Sequence, residues 1–269
     1  MRKNVKFLAM FLAAAISVAP VASVYTPQTT VYAAEKATKL KEGWNTVGKK
    51  KYFVKNGKVQ TKWLTYKKQK YYLDPAAGGA MVTGLKKISG KQYYFTSTGK
   101  LVTSKYGYKI KTKYYQINSK GELKALSKVE GMAGAQIDKQ GKSLRKAFNW
   151  SAKLPYTNPG KPSSSQSAAE FYGTRGFVYK KGDCNVQAYT LYWMAKRMGY
   201  SAKVIQGYVP QANGKYGKHA WVEITIKGKK YVFDPNLAST YGLDKGYQFH
   251  YGDKGTYRYY DKNKKPITK

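Results

Sequence analysis

The sequence predicts an all-β hairpin-repeat solenoid followed by an α+β domain. Three observations carry this. Between about Glu42 and Leu123 an aromatic strand and a Gly turn recur with a period near 20 residues, the mark of one β-hairpin per repeat. Beyond residue 142 the pattern changes to apolar residues at helical 3–4 spacing, followed by alternating runs of period two. The length of 269 residues suits two domains of about 100–200 residues each.

The chain opens with residues 1–33, which read as a signal peptide. Arg2, Lys3 and Lys6 give a positive start, and the apolar run Phe7 to Val18 is too short for the ~20 residues that span a bilayer. Val31-Tyr32-Ala33 supplies a small-residue cleavage pattern, with Ala34 as the new N-terminus. The expectation is a secreted protein with no transmembrane segment after signal removal, held non-covalently at the cell wall or cell surface. The formal net charge is +37, so a strong, salt-screened field attracts anionic polymers. Nucleic acid is one such polymer, but export excludes it as the expected partner and favours an anionic cell-wall polymer or an acidic lipid surface.

Residues 42–125 hold the repeats. Their strands are Lys51-Tyr52-Phe53-Val54, Lys70-Tyr71-Tyr72-Leu73, Gln92-Tyr93-Tyr94-Phe95 and Lys113-Tyr114-Tyr115-Gln116, starting 19, 22 and 21 residues apart. Asn56-Gly57, Gly78-Gly79, Gly99 and Gly121 mark the turns; Gly43-Trp44, Trp63-Leu64 and Gly84-Leu85 open the first three units. One hairpin cannot bury its own face, so the units must stack. Trp44, Tyr52, Trp63, Tyr71, Tyr72, Tyr93, Tyr94, Tyr114 and Tyr115 are the candidate polymer-binding side chains. The segment resembles the cell-wall-binding repeats of Gram-positive surface proteins, related to choline- and glucan-binding modules. In choline binders, Trp and Tyr from neighbouring repeats box a quaternary ammonium by cation–π attraction. Here Leu85 stands at the third opener, and Lys49-Lys50-Lys51 and Lys67-Lys68 crowd the segment. Ammonium groups repel choline and attract phosphate or carboxylate, so an anionic wall polymer or glycan is the expected ligand. A plain spacer remains the alternative.

Residues 126–142, with Gly131, Gly134 and Gly141, read as a linker. Residues 143–269 then form one domain of ordinary size. A helix is expected through Leu144, Ala147, Phe148 and Ser151. Pro155, Pro159 and Pro162 interrupt the chain, and Ser163-Ser164-Ser165 can cap a second helix containing Ala168, Ala169 and Phe171.

Cys184 is the single cysteine, so no internal disulfide forms. The only histidines are His219 and His250, and nothing is spaced for a structural zinc site; no metal or cofactor is expected. Cys184, Ala188, Leu191, Ala195 and Met198 recur at 4, 3, 4, 3 spacing, one face of a helix capped by Asp183 and stopped at Gly199. In the first turn, free backbone N–H groups and the helix dipole stabilise a thiolate and can bind an oxyanion. An inert buried cysteine is equally open at this point.

Val204 to Val209, His219 to Ile226 and Tyr231 to Phe233 read as strands, the last two joined by a hairpin turn at Lys227-Gly228. That turn sets Val222 against Phe233 and Ile224 against Tyr231, and buries Ala220, Val222, Ile224, Ile226, Tyr231 and Phe233 on one face. His219, Trp221, Glu223 and Asp234 fall on the other, with Asp234 diagonal to His219. A one-residue slip would lose both features. Glu223 is a second possible partner for His219, and His250 lacks a comparable setting.

Gly182-Asp183-Cys184 with Ala188, Gly199-Tyr200, Ala202-Lys203-Val204, Gly207-Tyr208, His219-Ala220-Trp221-Val222-Glu223 and Asp234-Pro235 together resemble the transglutaminase-like superfamily, over roughly Ser143 to Tyr241. The resemblance implies a papain-like α+β fold in which Cys184 is the nucleophile, His219 the general base and acid, and Asp234 the orienting acid. It also implies an oxyanion donor upstream of the nucleophile, where Tyr172, Phe177 and Tyr179 lie, beside the Cys184 backbone N–H. The calcium-binding features of animal transglutaminases are not apparent. The expected activity is that of an exported, wall-associated cysteine enzyme acting on protein or peptide amides through a thioester. Water as acceptor makes it a peptidase or amidase, an amine a transglutaminase. The alternative is a wall-binding adhesion protein with an inactive domain of this kind.

Overall fold

A computed structural model describes residues 40–268, so the signal peptide expected at residues 1–33 lies outside the described residues. The described chain divides into two compact units. One runs to Lys62 and takes in Leu73–Ala80; the other comprises Trp63–Tyr72 and the chain from Met81 onward.

In the first unit, β1 (Gly43–Val47), β2 (Lys50–Lys55) and β3 (Lys58–Val59) form an antiparallel meander. Asn56 and Gly57 both take positive φ at the β2–β3 turn, the conformation a two-residue hairpin requires. The Glu42 carboxylate accepts from both of their N–H groups, at 3.1 and 2.6 Å. Phe53 and Val54 are buried, and Trp44 meets Phe53 edge-on at 5.2 Å.

The hairpins continue along the chain. β4 (Lys62–Tyr66), β5 (Gln69–Asp74) and β6 (Ala80–Met81) make a second sheet, and β7 (Gly84–Ile88) pairs with β8 (Lys91–Phe95). β9 (Lys105–Ile110), β10 (Lys113–Ile117) and β11 (Leu123–Leu126) form a sheet in the order β11-β10-β9. Thus the fourth repeat also has an opener, β9, which carries Tyr106-Gly107-Tyr108 in place of a Trp or Leu signal. Within the second unit the Leu101 N–H donates to the Lys70 carbonyl and ties the third repeat to the second, while the Val102 N–H donates to the Tyr94 carbonyl within the third. Val82, Ile88, Tyr93 and Phe95 form the apolar cluster between them, with Tyr72 and Leu101 alongside.

The linker expected at 126–142 is instead mostly helical: α1 (Lys128–Gln140) carries a capping box between Ser127 and Glu130. Its Ala133 and Ile137 join the main core. The glycines that suggested flexibility serve close packing. A Cβ on Gly131 would fall 2.1 Å from Tyr114, and one on Gly134 2.1 Å from the Tyr106 carbonyl oxygen. Glycine therefore lets the helix lie directly on β9 and β10.

Next come α2 (Leu144–Ala152), α3 (Ala168–Tyr179) and α4 (Cys184–Met198), then the sheet β12 (Ser201–Pro210), β13 (Tyr216–Ile226) and β14 (Lys229–Phe233), and last α5 (Pro235–Tyr241). The cap of α3 is Ser167, without a side-chain bond, rather than the upstream serine run. The sheet order is β12-β13-β14, with Val222 opposite Phe233 and Ile224 opposite Tyr231. Ala188, Leu191, Met194 and Ala195 of α4 pack with Ala220, Val222, Ile224 and Phe233 in the main core. The other sheet face is also covered. Trp221, Val232 and Leu237 pack there with Phe249, Tyr251 and Tyr259 of the C-terminal tail.

Candidate active site

The N-terminus of α4 places the thiol. Asp183 caps the helix, its Oδ1 accepting from the Val186 N–H at 3.2 Å. Gly182 just before it has no room for a side chain, because a Cβ would lie 2.4 Å from Val186. The Asp183 Oδ2 accepts from Asn185 Nδ2 at 3.0 Å, and Gln206 Nε2 donates to Asn185 Oδ1 at 3.1 Å. The acid next to Cys184 is thus held by the helix cap and its neighbours. Cys184 is buried and free.

β13 brings His219 to the thiol. His219 is 6% exposed and hydrogen-bonds Cys184 on one side. Its Nε2 lies 2.7 Å from Asp234 Oδ2, which leaves Nδ1 for the sulfur. Trp221 stacks beside the imidazole at 6.0 Å, and Tyr257 meets it edge-on at 5.7 Å. Asp234 terminates β14 and caps α5: its Oδ1 accepts from the Asn236 and Leu237 N–H groups at 3.0 Å each. Its Oδ2 accepts from the Tyr259 hydroxyl at 2.7 Å as well as facing His219. Asp234 has no exposed surface, so all its solvation comes from these four bonds.

Burial by itself would push the His219 pKa down. The charge and hydrogen bond of Asp234, with a smaller contribution from Cys184, outweigh it and hold the imidazolium up at about 10. Burial likewise disfavours the Asp234 anion, but His219, the Leu237 N–H and the Tyr259 hydroxyl hold its carboxyl below the usual range. The pair is therefore an imidazolium and a carboxylate at neutral pH.

Cys184 and His219 open into a cleft of about 470 Å³, lined also by Tyr156, Tyr172, Gln206 and Lys218 among others. Burial, followed by Cys184 and Asp183, raises the Tyr156 pKa; burial, then Asp183 and Cys184, raises that of Tyr172. Both phenols are therefore hydrogen-bond donors at neutral pH. Of the three upstream aromatics, only Tyr172 lines the cleft. Phe177 stacks on Trp150 at 5.6 Å, and Tyr179 is exposed. Glu223 does not reach His219; it accepts from Tyr251 at 2.8 Å and pairs with Lys230 at 3.3 Å. His250 packs against Tyr231 at 4.9 Å, away from the cleft lining. Among the described residues no His, Cys, Asp and Glu side chains cluster to hold a metal ion.

Tyr156, Asn185, Gln206, Tyr257 and Tyr259 escape the sequence reading. Tyr257 and Tyr259 stand two residues apart, but what carries them to the site is the backbone bridge of Tyr260 to Tyr208 of β12, which no sequence pattern announces.

In the repeats, Trp63, Tyr72 and Tyr93 come together. Trp63 is 44% exposed and lies 5.2 Å from each of the two tyrosine rings. Tyr94 lies 5.6 Å from Tyr108, and Lys109 sits over Tyr114 at 5.8 Å. Tyr71 is buried, whereas Trp44, Tyr52 and Tyr115 are half-buried.

Residues 128–235 match the transglutaminase-like superfamily model, and residues 61–76 and 83–101 match the model described as “Putative cell wall binding repeat”. The chain thus carries a transglutaminase-like domain and cell wall binding repeats. No curated protein matches it by sequence. Among solved structures, CbpJ of Streptococcus pneumoniae TIGR4 is 28% identical over 31% of this chain and 28% of its own, at TM-score 0.29. The pneumococcal cell wall endolysin of phage Cp-1, complexed with choline, is 31% identical over 31% of this chain and 25% of its own, at TM-score 0.26. A “Putative Cysteine Protease” of Cytophaga hutchinsonii is 19% identical over 40% of this chain and 37% of its own, at TM-score 0.33. The chain spans less than a third of the length of CbpJ and of the endolysin.

Proposed function

We propose that this protein is an exported, wall-associated thiol enzyme that cleaves or transfers the acyl group of protein or peptide amides. One observation carries the reading: Cys184, at the start of α4, hydrogen-bonds a histidine whose other nitrogen is 2.7 Å from a fully buried carboxylate, beside an open cleft. The proton of the thiol–imidazole pair already sits on His219 as imidazolium, and the Cys184 sulfur attacks the amide carbon as the thiolate. We assign the oxyanion to the Cys184 backbone N–H and the Tyr172 hydroxyl, both residues lining the cleft. As the carbon–nitrogen bond breaks, the His219 proton passes to the departing amine, leaving a thioester on Cys184. Water or a second amine then attacks the thioester, with His219 taking its proton, and restores the thiol. The transglutaminase-like domain and the wall repeats support this class of activity and the cell-wall setting. We assign wall contact to the Trp63, Tyr72 and Tyr93 cluster and its lysine surroundings, with an anionic wall polymer or glycan as ligand. We assign 42–125 to the repeats and Lys128 onward to the catalytic part; the packing of Ala133 and Ile137 of α1 into the main core supports the second limit.

The test is the rate of Cys184 alkylation by iodoacetamide against pH, in the mature protein and in His219→Ala. The expected result is fast labelling near pH 6 that falls at least about tenfold in the variant, because the imidazolium that holds the thiolate is gone. Slow labelling in both would mean an inert cysteine and sink the reading.

A further inference from the structure

Asp234 has a partner from outside the matched segment. Tyr259 lies 25 residues beyond it in the C-terminal tail, and its hydroxyl donates at 2.7 Å to Oδ2, the oxygen that faces His219. The tyrosine ring is buried, packed at 4.7 Å on Trp221, 5.6 Å on Tyr251 and 5.9 Å on Phe249. Its backbone is pinned on both sides. Tyr260 and Tyr208 exchange N–H···O bonds of 2.9 Å, and the Ile267 N–H donates to the Tyr259 carbonyl at 2.8 Å. Gly207, opposite His219 in the sheet, makes the close approach possible: a Cβ there would lie 2.1 Å from the Tyr260 carbonyl oxygen.

Resting on the thiol-enzyme reading, we propose that Tyr259 is a positioning residue of this site. Its hydroxyl anchors the Asp234 oxygen that orients His219 and draws off part of its charge, so that the imidazolium keeps its place yet yields its proton to a departing amine. The physical basis is the direction of the O–H dipole. Its positive end shares Oδ2 with the imidazolium, so it weakens the carboxylate as a base toward His219. Burial, with the Asp234 charge, keeps the Tyr259 phenol protonated well beyond its ordinary range, so it remains a donor throughout. The other groups around His219 are Cys184 from α4, Tyr257 from the tail, and Asp183, Lys161, Lys218 and Lys262 along the cleft. Of these, none takes the place of Tyr259 on Oδ2.

The experiment is the titration of the His219 ring by NMR in the full mature chain, its signal separated from that of His250 by a His250→Gln control. Tyr259→Phe keeps the ring and deletes the hydroxyl. The expected result is a His219 midpoint raised by at least about 0.5 pH unit. Tyr257→Phe, in the same tail and against the same imidazole, should leave it unmoved. An unchanged midpoint in Tyr259→Phe, or equal shifts in both variants, would overturn the proposal. A second readout needs no variant of the tail: the Tyr259 hydroxyl proton should be a slowly exchanging, downfield resonance in the unaltered protein, and its absence would overturn the proposal even if Tyr259→Phe did not fold. Neither readout depends on thiol reactivity, so slow alkylation of Cys184 would count against the enzyme reading and not against this contact.

Discussion

Asp234 and His219 are buried charges that stabilise the fold only together. The His219 pKa is raised in the folded state, so its contribution is complete below its unfolded value of about 6.5 and is lost as pH rises toward about 10. The Asp234 pKa is lowered, so its contribution is complete above the ordinary carboxylate value of about 3.9 and is lost as pH falls below it. The pair is therefore worth most between about pH 4 and 6.5. Urea midpoints of the wild type and of His219→Ala, followed from pH 6 to 10, measure this. The difference between the two should shrink by an amount on the order of 2 kcal/mol as pH rises. A difference that stays constant would mean that His219 is neutral in the folded protein. Cys184 and the His219–Asp234 diagonal were legible because the hairpin turn at Lys227-Gly228 ties the register to the alternation of Ala220, Val222 and Ile224. The other half of the Asp234 environment was not. Tyr259 reaches it through a tail whose approach is set by Gly207 and one backbone bridge, and no periodicity links residues so far apart.

At the scale of elements, α1 shows how glycine misleads. Gly131 and Gly134 lower helix propensity by about 1 kcal/mol each relative to alanine, which favours a linker on local grounds. Packing overrides this, since the helix buries Val129, Ala133 and Ile137 only if its backbone can touch β9 and β10. Two further contacts complete the joint. Asp138 accepts from the N–H groups of Tyr106 and Gly107, and Arg197 donates to the Tyr106 carbonyl at 3.0 Å. Gly134→Ala should therefore invert the usual sign. On an open helix it would stabilise, whereas here the added methyl meets a backbone carbonyl that cannot swing aside. The expected loss is about 1–3 kcal/mol in chemical denaturation. A gain in stability would show that α1 can lift from the strands at little cost. The repeats were legible for a simpler reason. Each strand repeats its aromatic pair and its turn, so four units announce themselves; only β9 lacked the apolar opener of the others and was missed.

For the whole molecule, the charge decides what the repeats can hold. The chain carries a formal charge of +37, lysines are interleaved with the aromatic residues along the repeats, and Lys109 lies over the face of Tyr114. A cationic ligand must compete with these side chains for the rings and is repelled by the rest of the field. An anionic polymer gains from both. Its phosphates or carboxylates meet lysine, and sugar rings can lie on Trp63, which is exposed beside Tyr72 and Tyr93. The two ligand classes differ in their response to salt. The screening length falls from about 10 Å at 0.1 M to about 3 Å at 1 M, so charge-driven retention collapses across that range while an aromatic ammonium box is less affected. Retention of the mature protein on purified Gram-positive walls should thus fall by at least about tenfold between 0.1 and 1 M NaCl and resist free choline. It should fall as well on walls stripped of their anionic polymer. Trp63→Ala should lower the retention that survives at high salt, because stacking is the contribution that salt does not screen. Elution by choline at low salt, with little response to NaCl, would place the ligand in an ammonium box after all and leave the lysines as a solvated surface.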